Sequence, residues 1–193
     1  TSLTDYQPKL PLRVHTEDGV LIGEFGDERR HFTPIKEIPK VVQQAVLAIE
    51  DANFYEHSGV DFKGMLRAAI AQFSEAKSQG ASTITMQLAR NFYLSTEKTF
   101  TRKIYEVLLA FKIETMLSKE QILEVYMNQI YLGQRAYGFG AASEIYFGKA
   151  LKDLTIGEAA MLAGLPKAPS AYNPIVNPKR ATVRQQHIIE RMQ

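Results

Sequence analysis

The sequence predicts a mainly α-helical fold that carries a short β-containing appendage at its N-terminal end. Three observations lead to this prediction. Apolar residues recur at helical spacing along much of the chain after residue 36. Two pairs of residues have the spacing of a helix-capping box, in which side chains three positions apart bind each other's backbone. The first 35 residues instead contain short β-like runs around turn-forming residues.

The composition is that of a folded globular protein. The chain has 193 residues, and its 45% of hydrophobic residues exclude a disordered protein. A net charge of +2 gives no argument for nucleic acid as a partner, and the absence of cysteine excludes disulfides and thiolate metal sites. No apolar run is long enough to span a bilayer. Since the chain starts at Thr1 without a methionine, we expect a fragment that lacks a membrane anchor.

Two segments are expected: residues 1–35, a linker with a β-hairpin, and residues 36–193, the main domain. The turn and entry signals follow in order: Glu17-Asp18-Gly19, Gly26-Asp27, Pro34 and Pro39. The later helix boundaries have local signals as well: capping boxes at Ser118/Gln121 and Thr155/Glu158, helix ends at Gly133 and Gly164, and a helix start at Asn177-Pro178.

The first long helix carries a candidate general base at its end. Its apolar face is formed by Ile38, Val41, Val42, Ala45, Val46 and Ile49. On a helical wheel Glu50 falls at the edge of this face, whereas Asp51 points nearly away from it. We therefore expect Glu50 to be partly desolvated, which raises a carboxylate pKa towards neutrality, and Asp51 to be a solvated or hydrogen-bonding partner. An ordinary helix end explains these charges equally well, and His57 beside the turn at Gly59 is more often structural than catalytic.

A group of cations follows in the middle of the chain. The segment from residue 90 to residue 112 contains five cations and two glutamates: Arg90, Lys98, Arg102, Lys103 and Lys112, with Glu97 and Glu106. The helix that carries Glu106 is expected to bury Ile104, Val107, Leu108 and Phe111. Such cations suit a phosphate or pyrophosphate group, although a solvated helix face with intrahelical ion pairs is the simpler interpretation. Just before them, hydroxyls and an amide between Gly80 and Asn91 suit sugars and anions, or a plain capped helix.

Five sequence blocks in order resemble the peptidoglycan glycosyltransferase domain of class A penicillin-binding proteins of the 1a type, the family 51 glycosyltransferases. The blocks are Glu50–Gly59 (E-D-x-x-F-x-x-H-x-G), Gly80–Gln87 (G-x-S-T-I-T-x-Q), Arg102–Glu106 (R-K-x-x-E), Lys119–Asn128 and Glu158–Pro174. The resemblance covers nearly the whole chain. Three positions depart from the usual family pattern: Met86, Arg90 and Tyr105. The family implies a lysozyme-like large lobe with a small membrane-proximal lobe.

The resemblance implies an enzyme that polymerises lipid II into β-1,4-linked glycan with inversion and releases undecaprenyl pyrophosphate. Glu50 is then the catalytic base, and Glu106 orients the surrounding cations or holds Mg²⁺ or Mn²⁺ on the pyrophosphate. No organic cofactor is expected. The remaining implied substrate-binding residues are Asp51, His57, Ser82, Thr83, Gln87, Arg90, Lys98, Arg102, Lys103, Tyr126 and Asn128.

The implied partners are lipid II, the growing lipid-linked glycan and a membrane surface, with no nucleic acid. An amphipathic stretch suited to partial membrane insertion contains Phe62, Met65, Leu66, Ile70 and Phe73, together with Lys63 and Arg67. The implied location is the periplasmic face of the bacterial inner membrane. Whether a transpeptidase domain accompanies this chain is left open.

Two alternatives remain at this point. A glycoside hydrolase or lytic transglycosylase of lysozyme type also uses a glutamate at a helix end, but it has no use for the cations between Arg90 and Lys103. A non-catalytic membrane-docking module is the other alternative, and the presence of both Glu50 and Glu106 argues against it.

Overall fold

The computed structural model describes residues 12–15, 21–25, 29–66, 82–91 and 100–193. Several predicted features lie outside these residues: the turns at Asp18-Gly19 and Gly26-Asp27, the first residues of the second block at Gly80 and Ala81, and Arg67, Ile70, Phe73 and Lys98.

The fold is mainly helical, as predicted. The helices are α1 (Lys40–Glu50), α2 (Ile84–Asn91), α3 (Phe100–Met116), α4 (Lys119–Gln129), α5 (Phe139–Phe147), α6 (Ile156–Ala163) and α7 (Pro178–Met192). Residues 62–66 are also helical. Two short 3₁₀ helices, Ile35–Glu37 and Leu151–Asp153, lie before α1 and after α5.

The predicted helix boundaries are mostly confirmed. Helix α1 ends at Glu50 and α7 begins at Pro178, while Gly164 directly follows the last residue of α6. Both capping boxes are formed, at the starts of α4 and α6. The prediction for Gly133 is wrong, because α4 already ends at Gln129. Gly133 instead lies in the following turn with φ of 82°, and its carbonyl accepts a hydrogen bond from Ala136 N at 2.8 Å.

The N-terminal segment contains the predicted hairpin and an unpredicted connection to the helical part. Strand β1 (Leu12–His15) pairs antiparallel with β2 (Leu21–Phe25). Strand β3 (Arg29–Arg30) pairs in parallel with β4 (Ala136–Tyr137), which lies between α4 and α5. Parallel pairing needs a long connection between the strands, so no local sequence signal marks it. The boundary between residues 35 and 36 stays a prediction.

The core joins two groups of helices around α4. Helix α1 packs against α6 and α7, while α2 packs against α3 and α4. Buried residues from these elements form one cluster, which includes Val42, Val46, Ile84, Leu88, Ile113, Ile122, Leu123, Tyr126, Phe139, Leu162 and Ile188. This arrangement places the C-terminal end of α1 beside α2, which positions the site described below.

The predicted buried face of α3 is wrong except at Val107, which is partly buried against Val60, Met86 and Ala110. Ile104, Leu108 and Phe111 are exposed, whereas Glu106 and Ala110 on another side of the same helix are buried. The residues at apolar spacing do share one face of α3, but α3 packs on α2 through a different face, which contains the carboxylate of Glu106. Phe111 instead stacks on Phe62 with ring centroids 6.5 Å apart. The exposed apolar residues on these two segments form what we call the apolar patch: Phe62, Met65, Leu66, Ile104, Leu108 and Phe111.

Candidate active site

Glu50 is the last residue of α1, and only 9% of its side chain is exposed. Its Oε2 accepts a hydrogen bond from Gln87 Nε2 at 3.0 Å, and its Oε1 accepts one from Arg184 Nη2 at 3.3 Å. Burial raises the pKa of Glu50, and the Gln87 hydrogen bond and the charges of Arg184 and Lys167 oppose this effect only in part. Glu50 is therefore a desolvated carboxylate of the kind that can act as a general base.

A buried tyrosine fixes the side chain that binds Glu50. The Tyr126 hydroxyl donates to Gln87 Oε1 at 3.1 Å. Burial, and then the negative charges of Glu50 and Asp51, raise the pKa of Tyr126 well above its ordinary value, so the hydroxyl keeps its proton. Because the amide oxygen of Gln87 faces this donor, the amide nitrogen must face Glu50. Tyr126 is fully buried, so it acts here on Gln87 and not on an open surface.

Asp51 is buried, which corrects the expectation that it points away from the core. The backbone leaves the helix at this residue, with φ of −161° and ψ of 76°, so the angle on the helical wheel no longer applies. Its Oδ2 accepts a hydrogen bond from Ile84 N at 3.0 Å, at the first residue of α2. A carboxylate at a helix N-terminus is electrostatically favourable. Asp51 is thus a hydrogen-bonding partner that ties the end of α1 to the start of α2.

His57 also belongs to this connection. Its Nδ1 accepts a hydrogen bond from Gly59 N at 3.1 Å, so Nε2 carries the proton and donates to Asp51 at 2.9 Å. The hydroxyl of Thr83 donates to Gly59 O at 2.5 Å and accepts from Met86 N at 3.1 Å, which caps α2. These contacts join the first two sequence blocks and agree with a structural role for His57.

Gly59 allows the chain to approach α3 closely in a backbone conformation that other residues rarely adopt. Its φ is 95°, and a side chain there would meet the backbone of Ala110 at 3.1 Å. The turn after His57 therefore packs directly on α3.

Glu106 lies at the centre of the cationic group, and only 1% of its side chain is exposed. Arg90 Nε lies 3.1 Å from Oε1, Arg102 Nε 3.2 Å from Oε1, and Lys103 Nζ 3.3 Å from Oε2. Lys103 Nζ also donates to Ser82 Oγ at 3.0 Å. Burial raises the pKa of Glu106, but the hydrogen bond and charge of Arg90 and the charge of Lys103 outweigh it, so the pKa lies below its ordinary value.

The outer cations of this group also face solvent. The side chains of Arg90 and Lys103 are 45% and 47% exposed, although both contact the buried Glu106. One buried carboxylate thus holds cations that are open to an anionic ligand. A pyrophosphate would suit this arrangement because arginine and lysine bind its oxygens through charge-assisted hydrogen bonds.

The expected Mg²⁺ or Mn²⁺ on a bound pyrophosphate stays a prediction, because Glu106 lies among cations and not among further carboxylates that could hold a metal ion by the protein alone. Within the described ranges, no group of three or more histidine, aspartate or glutamate side chains is placed to hold one. Mg²⁺ and Mn²⁺ need several oxygen ligands, and both carboxylate oxygens of Glu106 already contact cations that would repel a metal. No step below depends on a metal.

One predicted substrate-binding residue is engaged elsewhere. Asn128 is buried, and its Oδ1 accepts from Thr33 N at 2.7 Å. Its Nδ2 donates to Thr33 O and to Glu124 O, both at 2.8 Å. These contacts bind the N-terminal segment to α4, so we leave Asn128 out of the function proposed below.

Arg184 is the site residue that sequence reasoning missed. It lies on α7, 134 positions from Glu50, and no spacing or motif signal connects the two. Its guanidinium lies over the ring of Tyr172 at 4.8 Å. Only the packing of α1 against α7 brings Arg184 to the site.

Comparisons with known proteins show the family to which this chain is related. A family model described as Transglycosylase matches residues 18–193. Penicillin-binding protein 1A of Neisseria gonorrhoeae is 62% identical over 192 residues, which are 99% of this chain and 24% of that protein. A Cupriavidus necator protein with a provisional transglycosylase name is 61% identical over 161 residues, 83% of this chain and 70% of that protein.

A solved structure agrees as well. The crystal structure of penicillin-binding protein 1A from Haemophilus influenzae matches 97% of this chain and 18% of that one, with 29% identity and a TM-score of 0.52. The chain spans about a quarter of the length of the Neisseria relatives that it matches. The resemblance seen in the sequence blocks is thereby confirmed. The chain therefore belongs to the transglycosylase family.

Proposed function

We propose that this protein is a peptidoglycan glycosyltransferase that polymerises lipid II, with the growing lipid-linked glycan as donor and a new lipid II as acceptor. The observation that carries the proposal is that one helix, α2, contacts both the desolvated Glu50 at the end of α1 and the cationic group around Glu106 on α3. Gln87 and Arg90 of α2 contact Glu50 and Glu106 respectively. A base and an anion site so arranged suit attack on a sugar phosphate.

Glu50 acts as the general base in this proposal. It takes the proton from the 4-hydroxyl of the acceptor N-acetylglucosamine, whose oxygen attacks C1 of the donor N-acetylmuramic acid. The bond between C1 and the pyrophosphate oxygen breaks as the new bond forms, so the configuration inverts to a β-1,4 link. The raised pKa of Glu50 supports this role, because a base near neutral pKa is the most effective at neutral pH.

The cations bind the leaving group. Undecaprenyl pyrophosphate departs as an anion, so charge stabilisation by Arg90, Arg102 and Lys103 replaces a strong general acid. Lys98 is a further proposed member. Glu106, with its lowered pKa, stays ionised and keeps these cations in position.

The other predicted site residues support these two groups. Asp51, His57 and Thr83 fix the junction between α1 and α2, and Gln87 and Tyr126 orient Glu50. Ser82 contacts Lys103 at the edge of the cationic group.

We also propose that the enzyme works at a membrane surface, on the periplasmic face of the inner membrane. The apolar patch supports this, since exposed aromatic and aliphatic side chains of this kind insert into the interfacial region of a bilayer. Among the described residues, no helix has the length and hydropathy to cross a membrane. The length of the Neisseria relatives leaves room for the transpeptidase domain that the sequence analysis left open.

The test is glycan polymerisation from lipid II by the wild type and by Glu50→Gln. We expect the variant to lose at least about 100-fold in rate, because the base is removed. Glu190→Gln is the matched control, since Glu190 is exposed on α7. Full activity of Glu50→Gln would remove Glu50 from its role. Cleavage of finished glycan would favour the hydrolase, and vesicle binding without polymerisation would favour the docking module.

A further inference from the structure

We propose that Arg184 is a positioning residue that fixes the carboxylate of Glu50 for proton transfer. The inference rests on the proposed function of Glu50 as the base. Arg184 donates to Oε1 at 3.3 Å, whereas Gln87 donates to Oε2. Each oxygen of the carboxylate is thus held by a different element, α7 or α2.

The side chain of Arg184 is fixed by contacts other than the one with Glu50. Only 10% of its side chain is exposed. Its Nε donates to Gly164 O at 2.8 Å, directly after α6, and its planar group lies over the Tyr172 ring. These two contacts fix the plane of the guanidinium, so Nη2 has one available direction. Arginine loses little freedom in such an arrangement because its fork of donors is rigid.

The two donors leave hydrogen-bond acceptor positions of the Glu50 carboxylate unused. An ionised carboxylate has about four acceptor positions, and Gln87 and Arg184 use one on each oxygen. The remaining positions can accept a hydrogen bond from the 4-hydroxyl of the acceptor sugar while the carboxylate stays in one orientation. A base held in this way meets the hydroxyl in a productive geometry, which a rotating carboxylate would reach only part of the time.

Arg184 also sets the charge that Glu50 experiences. The charged groups that act on Glu50 are Arg184 on α7, Lys167 after α6, and the adjacent Asp51, with the neutral Tyr126 hydroxyl on α4. Of these two cations, Arg184 is the one that is largely buried and contacts the Glu50 carboxylate directly. Its removal favours the protonated form of Glu50, and a protonated carboxylate cannot accept a proton. Activity should then be lost at the acidic end of the pH profile, and this acid limb should move to higher pH.

The test measures polymerisation from lipid II against pH for the 193-residue wild type, Arg184→Met, Arg184→Lys and Arg180→Met. Arg180 is the matched control because it lies on the same helix and over the same Tyr172 ring, at 5.8 Å, but is exposed. We expect Arg184→Met to move the acid limb upward and to lower kcat by about tenfold or more with little change in KM.

The conservative variant separates charge from geometry. Arg184→Lys should return the acid limb towards the wild-type position, while kcat stays reduced because lysine lacks the rigid fork. Arg180→Met should match the wild type. The inference is overturned if the limb of Arg184→Met does not move, if Arg180→Met shifts equally, or if KM rises while kcat is unchanged.

A second measurement does not depend on activity. The carboxyl carbons of ¹³C-labelled glutamate can be titrated by NMR in the wild type and in Arg184→Met, with Glu50→Gln identifying the Glu50 signal. We expect Glu50 to titrate at higher pH in Arg184→Met. If the wild type fails to polymerise lipid II, the proposed function fails, yet this titration still decides the inference. An unchanged Glu50 titration overturns it in either case.

Discussion

Gln87 and Arg90 lie three residues apart on α2, and they donate to the two carboxylates of the site. Residues at this spacing share one helix face and are separated by about 4.5 Å along the axis. One short helix therefore sets the relation between Glu50 and Glu106, whose sequence positions are far apart. Changes that shift α2 should affect both the proton transfer and the departure of the leaving group.

Glu50→Gln is expected to stabilise the fold at neutral pH. The folded-state pKa of Glu50 is raised, so its ionisation favours the unfolded chain once the pH exceeds the unfolded pKa. A glutamine has no such penalty. Thermal unfolding should show a higher Tm for the variant at pH 7, and the difference should shrink as the pH falls below the unfolded pKa. A lower Tm at pH 7 would show that the ion pair with Arg184 outweighs burial.

Tyr126→Phe should reduce proton transfer to Glu50, although Tyr126 binds Gln87 and not Glu50 itself. The variant removes the donor that orients the Gln87 amide, so the amide can turn its oxygen towards Glu50. We expect about tenfold lower kcat and a loss of roughly 1–3 kcal/mol in unfolding free energy, measured in urea. Tyr55→Phe, at an exposed tyrosine, should change neither value. Wild-type kcat in Tyr126→Phe would show that Gln87 keeps its orientation unaided.

Inorganic pyrophosphate should inhibit polymerisation by binding the cationic group. Lys103→Met should weaken this inhibition about three- to tenfold, a modest effect because Lys103 is partly solvated. Lys112→Met removes the same charge from an exposed position on α3 and serves as the control. Inhibition should also fall as salt is added. Equal effects of the two variants would show that the net charge of the protein, and not a defined pyrophosphate site, determines the inhibition.

Gly59→Ala should destabilise the protein more than Gly148→Ala. Both glycines have positive φ, 95° and 62°, but a side chain at Gly148 meets nothing within 4 Å. The control therefore isolates the backbone cost, about 1–2 kcal/mol. At Gly59 the added carbon also presses on the backbone of Ala110, which cannot move without shifting α3. Urea unfolding of both variants measures the difference in unfolding free energy. Equal losses would mean that α3 can shift at little cost to accommodate the added carbon.

Local signals in the sequence predicted local structure well. The end of α1 at Glu50, both capping boxes and the start of α7 at Pro178 are each determined by residues within one turn. The desolvation of Glu50 followed from the apolar spacing of α1. These features need no knowledge of the rest of the chain.

The errors have a common physical cause, which is that packing partners are chosen by the whole fold. Spacing identified the apolar stripe of Ile104 and Leu108 but could not show that α3 packs on α2 through its Glu106 side. The outward orientation predicted for Asp51 assumed a helix at that residue, but α1 ends one residue earlier. Arg184 reaches Glu50 only through packing between distant helices.

The N-terminal segment enters the helical part at a defined place. Strand β3 pairs with β4, and the backbone N–H and C=O of Thr33 are both hydrogen-bonded to the side-chain amide of Asn128 on α4. A mechanical load applied before residue 29 would therefore pass into β4 and α4, and reach α1 only afterwards. Tyr126 lies two residues from Asn128 on α4, so the point of attachment is close to the residue that orients Gln87. Less than one turn of α4 therefore separates the attachment of the N-terminal segment from the residue that orients Gln87.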